Sequence, residues 1–271
     1  MGGGTRAAQM VVDGAAPLLA AERRRRIMEV LARRGAVGVV TLSHSLGCSE
    51  ATLRRDLQRL EDEGLLQRTH GGAVLSGGGP EAELFPSDKA VLQVGEKRAI
   101  ALAAARLIAP GETVALNGGT TTLEVARQLR AIDNLRVVTN SVGVASELAG
   151  VLGLEVTVTG GTLRGSLELS GPLAEHSLRN LYVDTAFIGV DGLTAQHGLT
   201  TYNQSEAFIN RAMIGQARRV IAVADHTKIG RVLMALIAPA DVLATLITDS
   251  AAPRTHLDEV RAAGIEVVVA V

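Results

Sequence analysis

The chain is poor in aromatic residues and almost free of cysteine. Of its 271 residues, 2% are aromatic, none is tryptophan and one is cysteine, although 47% are hydrophobic. The single cysteine, Cys48, excludes an intrachain disulfide framework and a cluster of thiolate metal ligands. The interior must therefore be built from Ala, Val, Leu and Ile, a composition typical of buried parallel strands flanked by helices.

Long apolar runs are also missing, since none reaches the length of a membrane-spanning helix. Near the N-terminus, four consecutive arginines follow an apolar patch, and Asp13 lies inside that patch. This order is opposite to that of a secretory signal. We therefore expect a soluble, cytoplasmic protein in which residues 1–20 are a disordered extension, a misassigned start or a cloning remnant.

The net charge of −1 conceals an asymmetry between the two parts of the chain. Residues 1–75 hold 11 Lys and Arg against 8 Asp and Glu, whereas the remaining residues hold 16 against 20. A basic front segment on an acidic remainder indicates an anionic partner for the front segment.

Three helical patterns and a ribbon follow one another in residues 21–75. AERRRRIMEVLARRG ends at Gly35, VVTLSHSLG ends at Gly47, and SEATLRRDLQRLEDEG covers residues 49–64. LLQRTHGGAVL then gives two short extended runs around a Gly-Gly pair, which is a hairpin signal. A short helix, a tight turn, a longer basic helix and a ribbon predict a winged helix-turn-helix.

The third helix and the ribbon carry the residues that we expect to bind DNA. On a 3.6-residue period the leucines of this helix share one face, and its arginines point away from them. A solvated basic surface would explain the arginines, but not the ribbon placed directly after them. In a major groove, arginine pairs with guanine and glutamine with adenine. The predicted DNA-binding residues are Ser49, Thr52, Arg54, Arg55, Gln58, Arg59, Arg68 and His70.

This front segment resembles a known family. The stretch RRIMEVLARRGAVGVVTLSHSLGCSEATLRRDLQRLEDEGLLQRTHGGAV is similar, over its whole length, to the helix-turn-helix of DeoR-type bacterial transcription regulators. TLRRDLQRLEDEGLLQRTHGGA is its most specific portion. Cys48 stands where that family usually has valine, a departure that we expect to affect packing only.

Residues 76–88, SGGGPEAELFPSD, are rich in Gly, Pro and Ser and are predicted to be an interdomain linker. After the linker, strand and helix patterns alternate, which predicts a parallel sheet with helices on both faces. The segment HSLRNL is expected to lie in a loop, and the last two strands are expected to follow one another without a helix. The predicted fold is therefore α/β, with a winged helix-turn-helix in residues 21–75 and a Rossmann-like, effector-sensing domain in residues 89–271.

The stretch VALNGGTTTLEVA places two glycines and three threonines between a strand and a helix. Glycine lets a backbone approach a ligand closely, and a helix N-terminus offers unpaired N–H groups and the positive end of its dipole. The stretch lacks the lysine of a P-loop, and an ordinary strand-to-helix turn with threonine caps fits the same residues. We predict that a phosphate is bound by Gly118, Gly119, Thr120, Thr121 and Thr122.

Polar residues also follow other predicted strands, among them Asn140, Asp191 and Lys228. Ligands of open α/β sheets lie beyond the carboxyl ends of the strands, so these side chains converge if their strands are parallel neighbours. Such a set around a phosphate loop suits a polyhydroxylated, phosphorylated metabolite, although a loop cap or a turn explains each residue singly.

The resemblance to the family extends through this second half. GEKRAIA, LNGGTTTLEVA, VVTNS, TGG, FIGVDGL, GLTTYN, NRAMI and VADHTKIG occur in the order seen in the DeoR-type sensor domain. The resemblance implies a fold similar to ribose-5-phosphate isomerase and a sugar-phosphate effector. It assigns the phosphate to Gly119, Thr120 and Thr121, and the sugar to Asn140, Asp191 and Lys228. Asn117 departs from the family, which usually has aspartate there, so the ligand class can differ if this side chain contacts the effector.

These patterns together predict a transcription regulator, specifically a repressor of carbohydrate metabolism genes. Its partners would be double-stranded operator DNA and a phosphorylated sugar. One winged helix reads one half-site, so we expect a homodimer or a homotetramer.

The alternative is a sugar-phosphate isomerase or deaminase that carries a DNA-binding appendix. Proton transfer on a sugar needs a carboxylate and an assisting group, for which Asp191, Asp225 or Glu206 with Lys228 are available. In that alternative the basic helix and the ribbon have no role. The histidines lack metal-ligand spacing, so neither a metal nor a cofactor is expected.

Overall fold

The computed structural model describes residues 19–34, 36–63, 65–69, 71–75, 86–90 and 92–271, apart from the side chains of residues 32, 33, 75, 87 and 88. Its contacts divide the chain into a first unit, Met1–Gly77, and a second unit, Gly78–Val271. The predicted extension (1–20) and linker (76–88) lie largely outside the described residues, so both stay predictions. No helix in the described ranges is long and apolar enough to cross a membrane.

The first unit is a winged helix-turn-helix, which confirms the prediction. Ser49 caps the third helix by accepting a hydrogen bond from the Thr52 N–H, and Gly47 ends the second helix with a left-handed φ of 61°. The elements are α1 (Ala20–Arg34), β1 (Ala36–Gly38), α2 (Val39–Leu46), α3 (Glu50–Asp62), β2 (Leu66–Thr69) and β3 (Gly72–Leu75).

Strand β1 is absent from the prediction, because three residues are too few to show a periodic pattern. It pairs antiparallel with β3, so the small sheet has the order β1-β3-β2. Gly72 permits this pairing, since a Cβ at that position would lie 2.2 Å from the carbonyl oxygen of Val37. The ribbon is therefore anchored to the rest of the unit by a third strand.

An ion pair joins α1 to α3 next to their shared apolar core. Asp56 of α3 is 5% exposed and accepts a hydrogen bond from Arg23 of α1, with a nitrogen of Arg24 3.6 Å from its second oxygen. A buried carboxylate needs such partners, because burying an unpaired charge is costly. The pair therefore fixes the position of α3 on α1 more specifically than leucine packing alone.

The second unit alternates strands and helices. Its helix α4 begins within the last residues of the predicted linker. The elements are α4 (Pro86–Ala90), α5 (Val94–Ala105), β4 (Thr113–Leu116), α6 (Thr120–Leu129), β5 (Leu135–Thr139), α7 (Val142–Leu148), β6 (Leu154–Val158), β7 (Thr162–Leu163), β8 (Leu169–Ser170), α8 (Pro172–Leu178), β9 (Val183–Gly189), β10 (Gly192–Thr194), β11 (Gly198–Thr201), α9 (Gln204–Ile214), β12 (Ala217–Val223), β13 (Ala235–Ala238), β14 (Thr245–Asp249), α10 (Arg254–Ala262) and β15 (Glu266–Ala270).

The main sheet has seven strands in the order β15-β14-β12-β9-β4-β5-β6, and every neighbouring pair is parallel. Two apolar clusters fill the space between the sheet and its helices. The parallel strand order and these two clusters confirm the predicted parallel-sheet domain.

Two expectations for this unit need correction, and two small sheets are new. HSLRNL does not lie in a loop throughout, because its first three residues end α8. Helix α10 separates the last two strands, as the crossover between parallel neighbours requires, and it buries Leu257 and Val260. Two small antiparallel sheets, β10-β11-β13 and β7-β8, are additions that strand-helix alternation does not predict.

The strand order reverses between β4 and β9. From β4 the chain proceeds through β5 and β6 on one side, and from β9 through β12, β14 and β15 on the other. A crevice opens at such a reversal, beyond the carboxyl ends of the strands, and is where open α/β sheets bind ligands. The predicted phosphate loop follows β4 and Asp191 follows β9, so the fold brings both to this crevice.

Candidate functional site

Helix α3 separates its buried and exposed residues as the sequence predicts. Leu53, Leu57 and Leu60 are at most 3% exposed, and Asp56 is buried between them. Arg54, Arg55, Gln58 and Arg59 are exposed, and Thr52 is partly exposed. The helix therefore presents one continuous polar face that carries three arginines.

The three arginines of this face differ in their partners. Arg54 pairs with Glu50 at 3.1 Å and Arg59 pairs with Glu63 at 3.3 Å, each one helical turn away. Arg55 forms no ion pair or hydrogen bond with any described residue. Exposed pairs of this kind contribute about 0.3–0.5 kcal/mol, so a phosphate can replace either carboxylate at little cost. Arg55 needs no such exchange.

The ribbon contacts the recognition face directly. Arg68 donates from its guanidinium to Gln58, and its backbone N–H donates to Glu61 over 2.8 Å. Gln58 donates in turn to Asp62 over 2.9 Å. Gln58 of the recognition face and Arg68 of the ribbon are therefore joined by a hydrogen bond. His70 lies outside the described residues.

In the second unit, the loop after β4 places a helix N-terminus at the crevice. Gly119 has a φ of 132° and directly precedes α6, in a backbone conformation that residues with a Cβ rarely adopt. As the N-cap residue of α6, Gly119 has no side chain that could accept a hydrogen bond from the first N–H groups of the helix. These N–H groups are therefore available to an anionic ligand, and the helix dipole favours one.

The threonines at the start of α6 have different environments. The Thr122 hydroxyl donates to the Gly119 carbonyl oxygen over 3.0 Å, and the residue is fully buried. Thr121 is 8% exposed, and its hydroxyl makes no hydrogen bond with a described residue. Thr120 is half-buried. Thr121 is thus free to donate to a ligand, whereas Thr122 supports the turn.

Asn117 holds the two sides of the crevice together. Its amide nitrogen donates to the carbonyl oxygen of Gly189 over 2.9 Å, and its amide oxygen accepts from the Gly189 N–H over 2.8 Å. The side chain is 1% exposed, and both of its polar atoms are used. An ionised aspartate could not donate to that carbonyl. The departure from the family at this position therefore joins the ends of β4 and β9, and each polar atom of the side chain has a backbone partner.

Glu168 is a residue of this crevice that the sequence analysis misses. It precedes β8, and a backbone bridge to Ser141 brings it beside the end of β5. A Cβ on Gly118 would lie 2.1 Å from its Cγ, so the carboxyl group presses against the predicted phosphate loop. Asn140 donates to its Oε2 over 3.2 Å. No local motif marks Glu168, which stands between two leucines.

The electrostatics of Glu168 are unusual. Burial raises its pKa to about 8, and the negative charges of Glu206 and Asp191 add to this effect. The hydrogen bond from Asn140 opposes it. The carboxyl group is therefore mostly protonated at neutral pH.

Lysines balance the carboxylates on the other side of the crevice. Lys89 of α4, also absent from the prediction, pairs with Asp191 at 3.0 Å. Burial works to raise the pKa of Asp191, but the charges of Lys89 and Lys228 outweigh it and hold the pKa below its ordinary value. Burial lowers the pKa of Lys228, which makes no ion pair or hydrogen bond with a described residue. Lys228 is therefore a half-buried cation available to an anion.

Two further groups of the sequence analysis have structural roles. Asp225 accepts hydrogen bonds from the N–H and hydroxyl of Thr227, which orders the loop that carries Lys228. His226 faces Asp249 at 3.0 Å. Among the described residues, no three His, Cys, Asp or Glu side chains are grouped as a metal site would require.

This combination of a winged helix-turn-helix and a ligand crevice defines a DNA-binding protein controlled by a small molecule. Residues 23–77 match the DeoR-like helix-turn-helix domain, and residues 92–250 match the DeoR C terminal sensor domain. The chain belongs to the DeoR family and is a DNA-binding transcription regulator.

Two related regulators support the family assignment over nearly the whole chain. The chain is 38% identical to a provisionally named aga operon transcriptional repressor of Escherichia coli O157:H7, over 92% of this chain and 93% of that protein. It is 40% identical to the HTH-type transcriptional regulator GlpR of Haloferax volcanii, over 93% and 98% of the two chains. Ribose 5-phosphate isomerase A of Methanocaldococcus jannaschii is a structural neighbour with a TM-score of 0.37 and 16% identity, covering 51% of this chain and 53% of that one.

The raised pKa of Glu168 predicts a pH-dependent stability. A carboxyl group whose pKa rises from 4.5 to about 8 on folding binds its proton more tightly in the folded state. Its contribution to stability is therefore complete below about pH 4.5 and is lost as the pH rises through 8. Glu168→Gln, which cannot titrate, should gain melting temperature relative to the parent between about pH 5 and pH 8.5.

Thermal unfolding of both proteins across this range checks the prediction. Glu155→Gln, at an exposed position on β6, is the control and should follow the parent at every pH. Parallel curves for Glu168→Gln and the parent would show that Glu168 is not protonated in the folded state.

Proposed function

We propose that this regulator is a repressor of carbohydrate metabolism genes and that a phosphorylated sugar bound in the crevice of the second unit controls it. The observation that carries the proposal is the N-terminus of α6 at the strand-order reversal, together with Lys228, which follows β12 at the same edge of the sheet and makes no ion pair or hydrogen bond with a described residue. Repression is supported by the name of the E. coli relative, an aga operon repressor.

For the DNA-binding unit, we propose that Arg55 and Arg59 read bases, while Arg54 and Arg68 contact phosphates. Arg55 supports this division because it is exposed on the recognition face and makes no contact that DNA would have to break. Ser49, Thr52 and Gln58 complete the surface around them, and His70 extends it on sequence grounds. One such surface covers one half-site, so we propose a homodimer or homotetramer.

Arg55→Ala should cost about 1–3 kcal/mol of binding free energy on the cognate operator and little on random DNA, because a base contact carries sequence information. Arg54→Ala is the matched control and should weaken binding to both DNAs alike. The operator sequence is first selected from a pool of random DNA with the parent protein. Sedimentation of the labelled operator with each variant then measures both the affinity and the number of chains bound. Equal losses for Arg55→Ala on both DNAs, or one chain per operator, would contradict the proposal.

For the effector, the crevice offers complementary groups at both ends of a small ligand. The N–H groups of Gly119 and Thr120, the Thr121 hydroxyl and the Lys228 ammonium suit a phosphate, since charge-assisted hydrogen bonds are the strong ones. Asn140 follows β5 and Asp191 follows β9, the strands on either side of β4, and both side chains suit the hydroxyl groups of a sugar. Gly118 and Thr122 maintain the shape of the loop.

We propose regulation without catalysis in this crevice. Asp225 is engaged with Thr227, and Asp191 is paired with Lys89, so neither is poised as a free base. Glu168 holds its proton at neutral pH. The relatives named above are regulators.

Substitution of the phosphate-binding groups should weaken the effector without affecting operator binding. Lys228→Ala should lower affinity by about tenfold to a hundredfold, since a hydrogen bond to a charged group contributes about 1.5–3 kcal/mol. Thr121→Ala should lower it by less, about twofold to tenfold. Arg218→Ala, at a highly exposed cation, is the control and should bind as the parent does.

Calorimetric titration with a panel of hexose and pentose phosphates measures these affinities, with operator binding measured on the same samples. ³¹P NMR of the mixtures should show the ligand unchanged. Undiminished binding by Lys228→Ala would place the phosphate elsewhere, and new phosphorus signals would favour the isomerase or deaminase alternative.

A further inference from the structure

The carboxyl groups of Glu168, Asp191 and Glu206 form a cluster beside the phosphate loop. The hydroxyl of Thr201 lies 3.0 Å from Asp191 Oδ2 and 3.3 Å from Glu206 Oε2. The charges of Asp191 and Glu206 both act on Glu168. If the effector carried a phosphate but no positive charge, a third carboxyl group next to the phosphate loop would have no evident role.

Asn140 supplies a second, independent observation in the same place. Its amide nitrogen donates to Glu168 Oε2 and to the carbonyl oxygen of Leu169, each over 3.2 Å. Reversing the amide would set its oxygen against the carbonyl oxygen of Leu169, which can only accept, so the orientation is fixed. The amide oxygen is then buried without any hydrogen-bond partner among the described residues. A buried acceptor of this kind calls for a donor, which a ligand can bring.

The groups that converge at Glu168 are thus rich in acceptors. The amide oxygen of Asn140 lacks a donor, and Glu168 can accept through its carboxylate form. A sugar hydroxyl brings one hydrogen to such a site, whereas an ammonium group brings three and a positive charge. An ammonium next to the acid cluster also favours ionised Glu168, which offsets the opposing effect of burial.

We propose that the effector is a phosphorylated amino sugar and that Glu168 and Asn140 bind its primary ammonium group. This inference rests on the proposed function. Glu168 thereby becomes the residue that selects the amino sugar over the parent sugar. Its contact with Gly118 places the selecting carboxyl immediately beside the phosphate loop, within the span of one small molecule.

The test uses nine ligands. Three are the hexosamine 6-phosphates of the gluco, galacto and manno series, three are the parent hexose 6-phosphates, and three are the N-acetylated hexosamine 6-phosphates. Calorimetry with the full chain should show one hexosamine phosphate binding at least tenfold more tightly than its parent sugar. The N-acetylated form, which has lost the charge, should lose this advantage. Glu168→Gln should reduce the preference to about onefold.

Asn140→Ser, which removes the amide oxygen, should also reduce the preference, and it provides a second variant should Glu168→Gln fold poorly. Glu155→Gln should keep the preference. Parent sugars that bind as tightly as amino sugars would overturn this inference alone, because the phosphate site would still stand. A preference that survives in both site variants would overturn the assignment to Glu168 and Asn140. Failure of all nine ligands to bind would contradict the proposed function as well.

Discussion

The ligand crevice depends on one pair of hydrogen bonds, between the Asn117 side chain and the backbone of Gly189. These bonds tie the end of β4 to the end of β9, the two strands at which the order of the sheet reverses. Because the reversal separates the helices that follow the two strands, it opens a crevice exactly where α6 begins. The predicted phosphate loop and Asp191 take their positions from these strand ends, and the loop of Lys228 follows β12, the strand next to β9. A buried amide can serve here because it donates and accepts at once, which a carboxylate cannot.

Charge is distributed in the crevice so that each buried ion has a counterpart or a reason to be neutral. Lys89 neutralises Asp191, and Glu168 retains its proton because burial and its acidic neighbours raise its pKa. Lys97, whose pKa burial lowers to about 8, donates to the carbonyl oxygens of Lys89 and Leu92 and so orders the segment between α4 and α5. Lys228 feels the charges of Asp191 and Asp225 but makes no ion pair or hydrogen bond with a described residue. The first unit follows the same rule, because the buried Asp56 of α3 is paired with Arg23 of α1 and this pair supports the DNA-binding helix.

Local patterns in the sequence predict most of this architecture. The leucine period of α3, the glycine pair before α6 and the strand-helix alternation are each contained in a few consecutive residues, and the structure follows them. The features that local patterns do not predict depend on residues that are distant in the sequence. Glu168 gains its character from Asn140 and Glu206, and Lys89 from a partner 102 residues away. Strand β1 needs its pairing with β3, and the role of Asn117 needs the approach of β9. No window of the sequence contains such information.

A crystal structure of the full chain with its tightest-binding phosphorylated sugar tests the central claim most directly. The account predicts a phosphate at the N-terminus of α6, about 3 Å from the N–H groups of Gly119 and Thr120, with Lys228 as its counter-ion. The sugar should extend from there toward Asn140 and Asp191. A phosphate bound at any other place, with the start of α6 unchanged and Lys228 facing water, would contradict the account.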